Sequence, residues 1–244
     1  MAPIVLTDTR LFAGAADLTS VSNKVEVPAE VDAQDATTFG DGGWKAVKAG
    51  LASAPITASG FWEAGDAGKI DDEAWAALGA QKPWTVCPDG ADVADLAYLT
   101  NTLGTKYTLL GAVGDLAPWE AEATSTGALV RGLVAHPPGT ARTATGDGAA
   151  QQLGAITAGH HLYAALHVLS VSDTTTPSLT VTIESDSTVA FDAATTQITF
   201  TAATALGSQF MRVPGPITDT QFRPSWTISG TDASFLFVVS FGVK

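Results

Sequence analysis

Residues 23–65 read NKVEVPAEVDAQDATTFGDGGWKAVKAGLASAPITASGFWEAG. Val25 and Val27 sit two apart, the spacing of a strand with one buried face. Pro28 breaks that run and Val31 resumes it. A glycine-punctuated connection follows, carrying Thr37, Thr38, Phe39, Gly42, Gly43 and Trp44. Ile56 and Ala58 then lead a second alternating strand into Gly60, Phe61 and Trp62. Loops of about 12–15 residues without regular structure are uncommon in compact domains and tend to be functional. Phe39 and Trp44 have no partner within such a loop, so the natural place for them is another subunit.

Outward from this stretch the pattern stays β. Leu179, Val181 and Ile183 alternate with Thr180, Thr182 and Glu184; Ile198 and Phe200 alternate with Thr199 and Thr201; Trp226 and Ile228 alternate with Thr227 and Ser229. Such alternation predicts half-buried antiparallel strands. Residues 234–243, SFLFVVSFGV, are apolar at odd and even positions alike, which predicts a strand covered on both faces. One helix is expected in IDDEAWAALGA, with Asp71 as its cap, Asp72 and Glu73 at its positive end and Gly79 as its stop. Trp75 and Leu78 are expected to form its buried stripe. Residues 92–104 fit helix or strand, and their latter part is read as a strand feeding another at 106–113. Residues 136–152, HPPGTARTATGDGAAQQ, have the composition of a linker or long exposed loop. They divide a first part (1–135) holding Trp44, Trp62, Trp75, Trp84 and Trp119 from a Thr/Ser-rich second part (153–244) holding Trp226.

The composition narrows the function. Hydrophobic residues make up 45% of the 244 and charged residues 15%, against roughly 25% charged in an average soluble protein. So neutral a surface favours extensive subunit contact. The net charge is −13, which opposes nucleic-acid binding because phosphate contacts rely on Lys and Arg. Residues 1–130 hold 7 basic and 18 acidic side chains, net −11, and residues 131–244 hold 5 and 7, net −2. One cysteine, Cys87, leaves no intramolecular disulfide to form; it reads as a small buried group. The N-terminal MAPIVLTDTR lacks the basic and apolar regions of a signal peptide, so none is expected. No run of about 18 apolar residues offers a membrane span.

Catalytic chemistry finds little support. His161 and His167, on one face of a strand, stand roughly 20 Å apart, too far to share a metal, and are read as polar groups on an exposed or interface face. Asp66, Asp71, Asp72 and Glu73 lack the alternating spacing of a calcium loop. Asp89, Asp92 and Asp95 do no better. GDGGW, GAVG and TGDG contain glycines without the strand, helix and lysine of a phosphate loop. No nucleophile–base motif occurs, so neither enzyme activity nor a cofactor is expected.

The order ATTFGDGGWK…GL…ITASGFWEAGD resembles the tail tube (major tail) proteins of long-tailed bacteriophages. The resemblance implies a mainly β fold, an antiparallel β-sandwich or barrel with one short flanking helix at about 71–79. It implies a homo-oligomeric ring, a hexamer or a trimer of pseudo-sixfold symmetry. Stacked rings would form a tube in the virion, made in the host cytoplasm, through which DNA passes without specific binding. Tail tip, tape measure and tail terminator proteins would be its partners. Residues 32–52 match the family's ring-bridging loop, which makes Asp35, Thr37, Thr38, Phe39, Trp44, Lys45 and Lys48 the candidate ring-to-ring contacts. Residues 111–133 match the strand pair that follows the helix. The family's minimal unit would end near 135, leaving a second β-rich region as an outer domain, a second tube-like half or part of one intertwined barrel. The acidity of the first half suits a channel that repels DNA, with Glu26, Glu30, Glu120 and Glu122 as candidate lining. Rival readings are a capsid decoration protein, another tail subunit, or a carbohydrate-binding sandwich motivated by the six Trp.

Overall fold

The computed structural model describes residues 3–173 and 175–244. Strands β1 (Arg10–Ala13), β2 (Ala16–Asp17), β3 (Ser22–Glu26), β4 (Glu30–Asp35), β5 (Val47–Ser53) and β6 (Pro55–Phe61) precede helix α1 (Ile70–Ala77). After it come β7 (Gln81–Cys87), β8 (Leu96–Leu109), β9 (Pro118–Ser125) and β10 (Val130–His136). The remainder holds β11 (Gly146–Asp147), β12 (Gln151–Gln152), β13 (His161–Ser172), β14 (Ser178–Asp186), β15 (Thr195–Thr199), β16 (Gly207–Pro214), β17 (Gln221–Ser229) and β18 (Ser234–Val243). The fold is mainly β, with every strand-to-strand ladder antiparallel, as the alternating pattern predicts.

The long strand β8 organises the first part. Residues 92–104 and 106–113 do not give two strands. One strand runs from Leu96 to Leu109, with a register shift between Gly104 and Lys106. Along one edge it pairs with β7; along the other it pairs first with β10 and then with β9. β9 continues into β6 and β3. Leu11, Ala13, Trp84 and Val86 from β1 and β7 meet Ile56, Ala58, Trp119, Ala121 and Ala123 from β6 and β9 in one apolar core. The alternation of each strand therefore closes a small sandwich.

Helix α1 covers this core, with corrections to its expected detail. Its buried residues are Ile70 and Ala74, four apart; Trp75 and Leu78 are exposed. Close docking explains the choice, because Gly104 of β8 exchanges backbone hydrogen bonds with the chain just after the helix: Gly79 N donates to Gly104 O and Gly104 N to Ala80 O. A Cβ at Gly104 would lie 2.4 Å from the Ala77 carbonyl oxygen. So near an approach admits alanine on the inner face and excludes tryptophan. Asp71 does not cap; Lys69 occupies that position without a side-chain bond. The Asp71 carboxylate instead accepts from Trp62 Nε1 and Tyr107 Oη, both at 3.0 Å.

The second part is a sandwich too, and one of its sheets is shared with the first. β10 pairs with β18, β18 with β13 and β13 with β16, so the strands of residues 153–244 extend the sheet that begins near the N-terminus. β17, β14 and β15 form the facing sheet. Leu162, Leu166, Phe235, Phe237 and Phe241 pack there against Leu179, Val181, Ile183, Phe222 and Trp226. The other face of β18 presents Val238 to Phe12, Cys87 and Ala97, giving this strand the two covered faces its sequence predicts. Residues 136–152 are more than a linker. Arg142 bridges to Phe235 by backbone bonds, β11 and β12 pair with β17, and Gln151 is buried.

Two buried histidines tie these layers together, one contrary to expectation. His167 lies inside the fold rather than on an exposed face. Its Nδ1 is 2.8 Å from the Gly14 carbonyl and its Nε2 is 2.8 Å from Thr85 Oγ1, which also lies 3.3 Å from Ser240 Oγ. A carbonyl only accepts, so Nδ1 carries the proton and Nε2 accepts from the Thr85 hydroxyl. β13 is thereby bonded to β7 and to the turn between β1 and β2. His136 stacks on Phe237 with ring centroids 4.2 Å apart, donates from Nδ1 to the Phe237 carbonyl and accepts at Nε2 from Arg142. Burial pushes both imidazoles down to about 4.

Acid should therefore unfold this protein in a particular window. Each folded pKa lies below the ordinary histidine value of 6.5, so the unfolded chain binds more protons between pH 6.5 and 4. Stability contributed by the neutral rings is complete above pH 6.5 and is lost as pH falls towards 4. At 1.36 kcal/mol per pKa unit this is about 3 kcal/mol for each ring, large beside the roughly 5–15 kcal/mol of a typical domain. Urea midpoints measured from pH 7.5 to 4 should fall steeply below 6.5. The slope should ease in a His167→Gln variant measured relative to its own pH 7.5 value. An equal slope would mean that His167 is not held neutral.

Candidate assembly surface

The segment from Asp32 to Leu51 is not an irregular loop. β4 and β5 pair with each other as a separate two-stranded sheet, from Glu30 opposite Ser53 to Asp35 opposite Val47. Every residue of both strands is exposed. The sequence hid this because a hairpin with no buried face has no reason to alternate; its pattern reads VDAQD and VKAGLAS.

The tip is built rather than slack. Asp35 accepts from Thr37 N at 2.9 Å, and the Thr37 hydroxyl accepts from Ala46 N at 3.0 Å across the hairpin. Thr38 and Asp41 form a reciprocal cap on a 3₁₀ turn at Phe39–Asp41, with the Asp41 carboxylate accepting from the Thr38 backbone and hydroxyl. Gly42 and Gly43 then take φ of +62° and +88°, left-handed values that suit glycine. Hydrogen bonds from Thr37 hold the Asp35 carboxyl below its ordinary range, and those from Thr38 do the same for Asp41. The cap and glycines aim Phe39 and Trp44 outwards, 110% and 82% exposed. Val31, Val47 and Leu51 add exposed apolar surface along the stem, and Lys45 and Lys48 are exposed beside them.

The polar face of the neighbouring sheet is the second feature. Register places Glu26 beside Thr57, Thr57 beside Glu122 and Glu122 beside Lys106. Lys24, Ser59, Glu120 and Thr108 form a parallel row. Glu26 pairs with Lys24 at 3.0 Å; Glu120 pairs with Lys106 at 3.0 Å, and Glu122 also reaches Lys106. The Lys24 ammonium holds Glu26 below the usual carboxylate range, and Lys106 does so for Glu120. Of the four expected acidic positions, the fold gathers Glu26, Glu120 and Glu122. Glu30 stands apart on the stem of the hairpin. Three carboxylates and two ammonium groups leave this face at −1. Sequence reasoning missed Lys24 and Lys106, although each stands next to an apolar residue that packs on the core, Val25 and Tyr107, and so belongs to the polar face of its strand.

Exposed apolar side chains gather in a third place. Leu110, Val113 and Leu116, between β8 and β9, are 60%, 107% and 74% exposed, and Phe61 at the end of β6 is 47% exposed. Among the described residues no group of three or more His, Cys, Asp or Glu side chains is placed to hold a metal ion. No helix among them is long and apolar enough to cross a membrane.

No protein-family model and no curated protein matches the chain. Solved structures similar to it include the following three. A chain of the virion of a native gene transfer agent particle aligns at 21% identity, covering 50% of this chain and 94% of that one, with a TM-score of 0.41. A chain from the tail of the empty gene transfer agent particle, refined with C6 symmetry, aligns at 20% identity with the same coverage and TM-score. The SPP1 Dit (gp 19.1) protein, described as a paradigm of the hub adsorption apparatus in Gram-positive infecting phages, aligns at 10% identity. It covers 97% of this chain and 99% of that one, with a TM-score of 0.35.

Proposed function

We propose that this chain is a structural subunit of a phage tail, forming rings that stack through the β4–β5 hairpin into a tail tube that conducts DNA. The observation that carries the reading is the hairpin itself. It has two strands exposed on all sides and two aromatic rings held outward by a hydrogen-bonded tip. A solitary domain gains nothing by displaying such a group, whereas a neighbour that covers it recovers the hydrophobic free energy. In this reading residues 1–135 supply the ring and residues 153–244, sharing its sheet, form its outer part. The ion-paired face bearing Glu26, Glu120 and Glu122 lines the channel. A near-neutral, carboxylate-rich wall gives DNA few ammonium contacts to release counterions against, so DNA slides. Hexameric rings, a place in the virion and the absence of catalysis belong to the same proposal.

Purified protein examined by negative-stain microscopy at high concentration, and gold-labelled antibody on intact particles, test it. Tubes in the first and label along the tail in the second are expected. Label confined to the capsid would overturn it. A second reading is favoured by the large second sandwich, which a repeating wall does not require: a subunit forming a single ring at one end of the tail. Label at that end alone would select it.

The lining should be sensitive to charge. Replacing Glu26, Glu120 and Glu122 with Lys places three further cations per subunit on the face. Tubes should still form while DNA delivery slows and infectivity falls. Unchanged delivery kinetics would remove these residues from the channel.

A further inference from the structure

The polarity of the four-stranded sheet β3–β6–β9–β8 identifies a receiving surface for the hairpin. Pro55 of β6 pairs with Thr124 of β9 at one end of this sheet, and the hairpin leaves from that end, with Ser53 at its last position and Glu30 at its first. Phe61 pairs with Pro118 at the other end, beside Leu109 and Trp119, and the connection carrying Leu110, Val113 and Leu116 leaves from there. The six residue steps from Pro55 to Phe61 span roughly 20 Å. These two apolar groups thus sit at opposite ends of one sheet, apart from a further exposed run at Ile4, Val5 and Leu6 near the N-terminus. A groove of about 250 Å³ opens at the second end, where Phe61, Leu110 and Pro118 meet the polar Asn23, Thr108 and Glu120.

From this placement we infer that the hairpin of one copy docks, head to tail, on the Phe61, Leu110, Val113 and Leu116 end of a second copy. The inference rests on the tube reading and names the surface that reading needs. Two unlike patches at opposite ends make a heterologous contact, which repeats without closing and so builds a stack rather than a dimer. The area suffices for a second copy as the occupant. Covering Phe39, Trp44, Val31, Val47 and Leu51 removes about 500–800 Å² from water on one side, close to the about 800 Å² per partner of a stable interface. The far loop carries one charge, Asp115; the hairpin carries Lys45 and Lys48 beside its own carboxylates Glu30, Asp32, Asp35 and Asp41, so the two lysines are its only cations for that carboxylate.

Disulfide trapping and end-blocking test this. The native thiol of Cys87 is buried and pushed up to about 12, so it stays out of the chemistry. Lys45→Cys and Asp115→Cys proteins, co-assembled and oxidised, should give a crosslinked dimer that neither variant yields alone. A Val113→Asp, Leu116→Asp variant, changed only at exposed positions, should keep the wild-type melt and form no stacks. Mixed with a Phe39→Ala, Trp44→Ala variant, it should form two-tier particles that do not extend, since each partner retains one working end. Wild-type tubes together with unimpaired stacking of the Val113→Asp, Leu116→Asp variant would overturn the inference alone. A Lys45→Cys crosslink to itself would do so in favour of a hairpin-to-hairpin contact. Wild-type protein that never stacks, in vitro or in particles, would overturn the tube reading and this inference with it.

Discussion

Replacing Phe39 and Trp44 together with alanine is expected to abolish tubes while leaving a soluble subunit with a cooperative melt close to wild type. Both rings are exposed, so removing them opens no cavity in the fold. The side-chain hydrogen bonds of the tip run through Asp35, Thr37, Thr38, Asp41 and Ala46, none of which is changed, and the bond from Trp44 N to the Asp41 carbonyl is made by backbone that alanine keeps. Burying one such ring contributes roughly 1.5–3 kcal/mol, so the pair amounts to about 3–6 kcal/mol per contact. At 1.4 kcal/mol per decade this weakens stacking by about two to four powers of ten, and every ring in a tube repeats the loss. Analytical ultracentrifugation across a concentration series, with a melt beside it, measures both halves of the claim. Tubes at wild-type concentration would show that the hairpin does not hold the rings together.

Gly132→Ala is expected to destabilise the subunit itself by more than about 3 kcal/mol, beyond ordinary overpacking. Gly132 of β10 lies directly opposite Gly242 of β18, where the strands of the second part join the first. A Cβ on Gly132 would sit 2.1 Å from the Phe241 carbonyl oxygen, and one on Gly242 would sit 2.7 Å from the Gly132 Cα. Backbone offers no rotamer by which to yield, so the ladder must open. For a chain of this length about 2–4 °C of melting temperature goes with each kcal/mol, and a drop on the order of 10 °C is the expected result. Gly127→Ala, with open space around it, serves as the control and should change little. Equal melts for the two variants would mean that β10 and β18 are not so closely joined.

These two expectations differ in how much of them the sequence could show. Phe39 and Trp44 stand out in a glycine-rich segment, and their outward placement was legible because nothing near them alternates. The pairing of the flanking residues into a hairpin was not, since strands exposed on both faces carry no hydrophobic period. Gly132 and Gly242 are two glycines among 24 in the sequence, 110 positions apart, and only the fold sets them face to face.

The sequence by itself determined the strands whose faces differ. Period-two runs such as Leu179–Ile183 declare which side is buried, and the doubly apolar run at 234–243 declares that both are. It determined the helix, through the acidic start and the glycine stop, and the shortage of charge that calls for partners. Tertiary structure alone decided what depends on contacts distant in the chain. It put Ala74 rather than Trp75 under the helix, because Gly104 brings the backbone too near for a ring. It buried His167, because Thr85 and Gly14 supply a donor and an acceptor that no local pattern announces. It paired Glu120 and Glu122 with Lys106 across a bulged ladder, and it sent the aromatic hairpin and the Leu110–Leu116 connection to opposite ends of one sheet. Alternation is a local property, set by neighbours two residues away. Register and sheet order are settled by which distant surfaces fit, and that fit is made only in three dimensions.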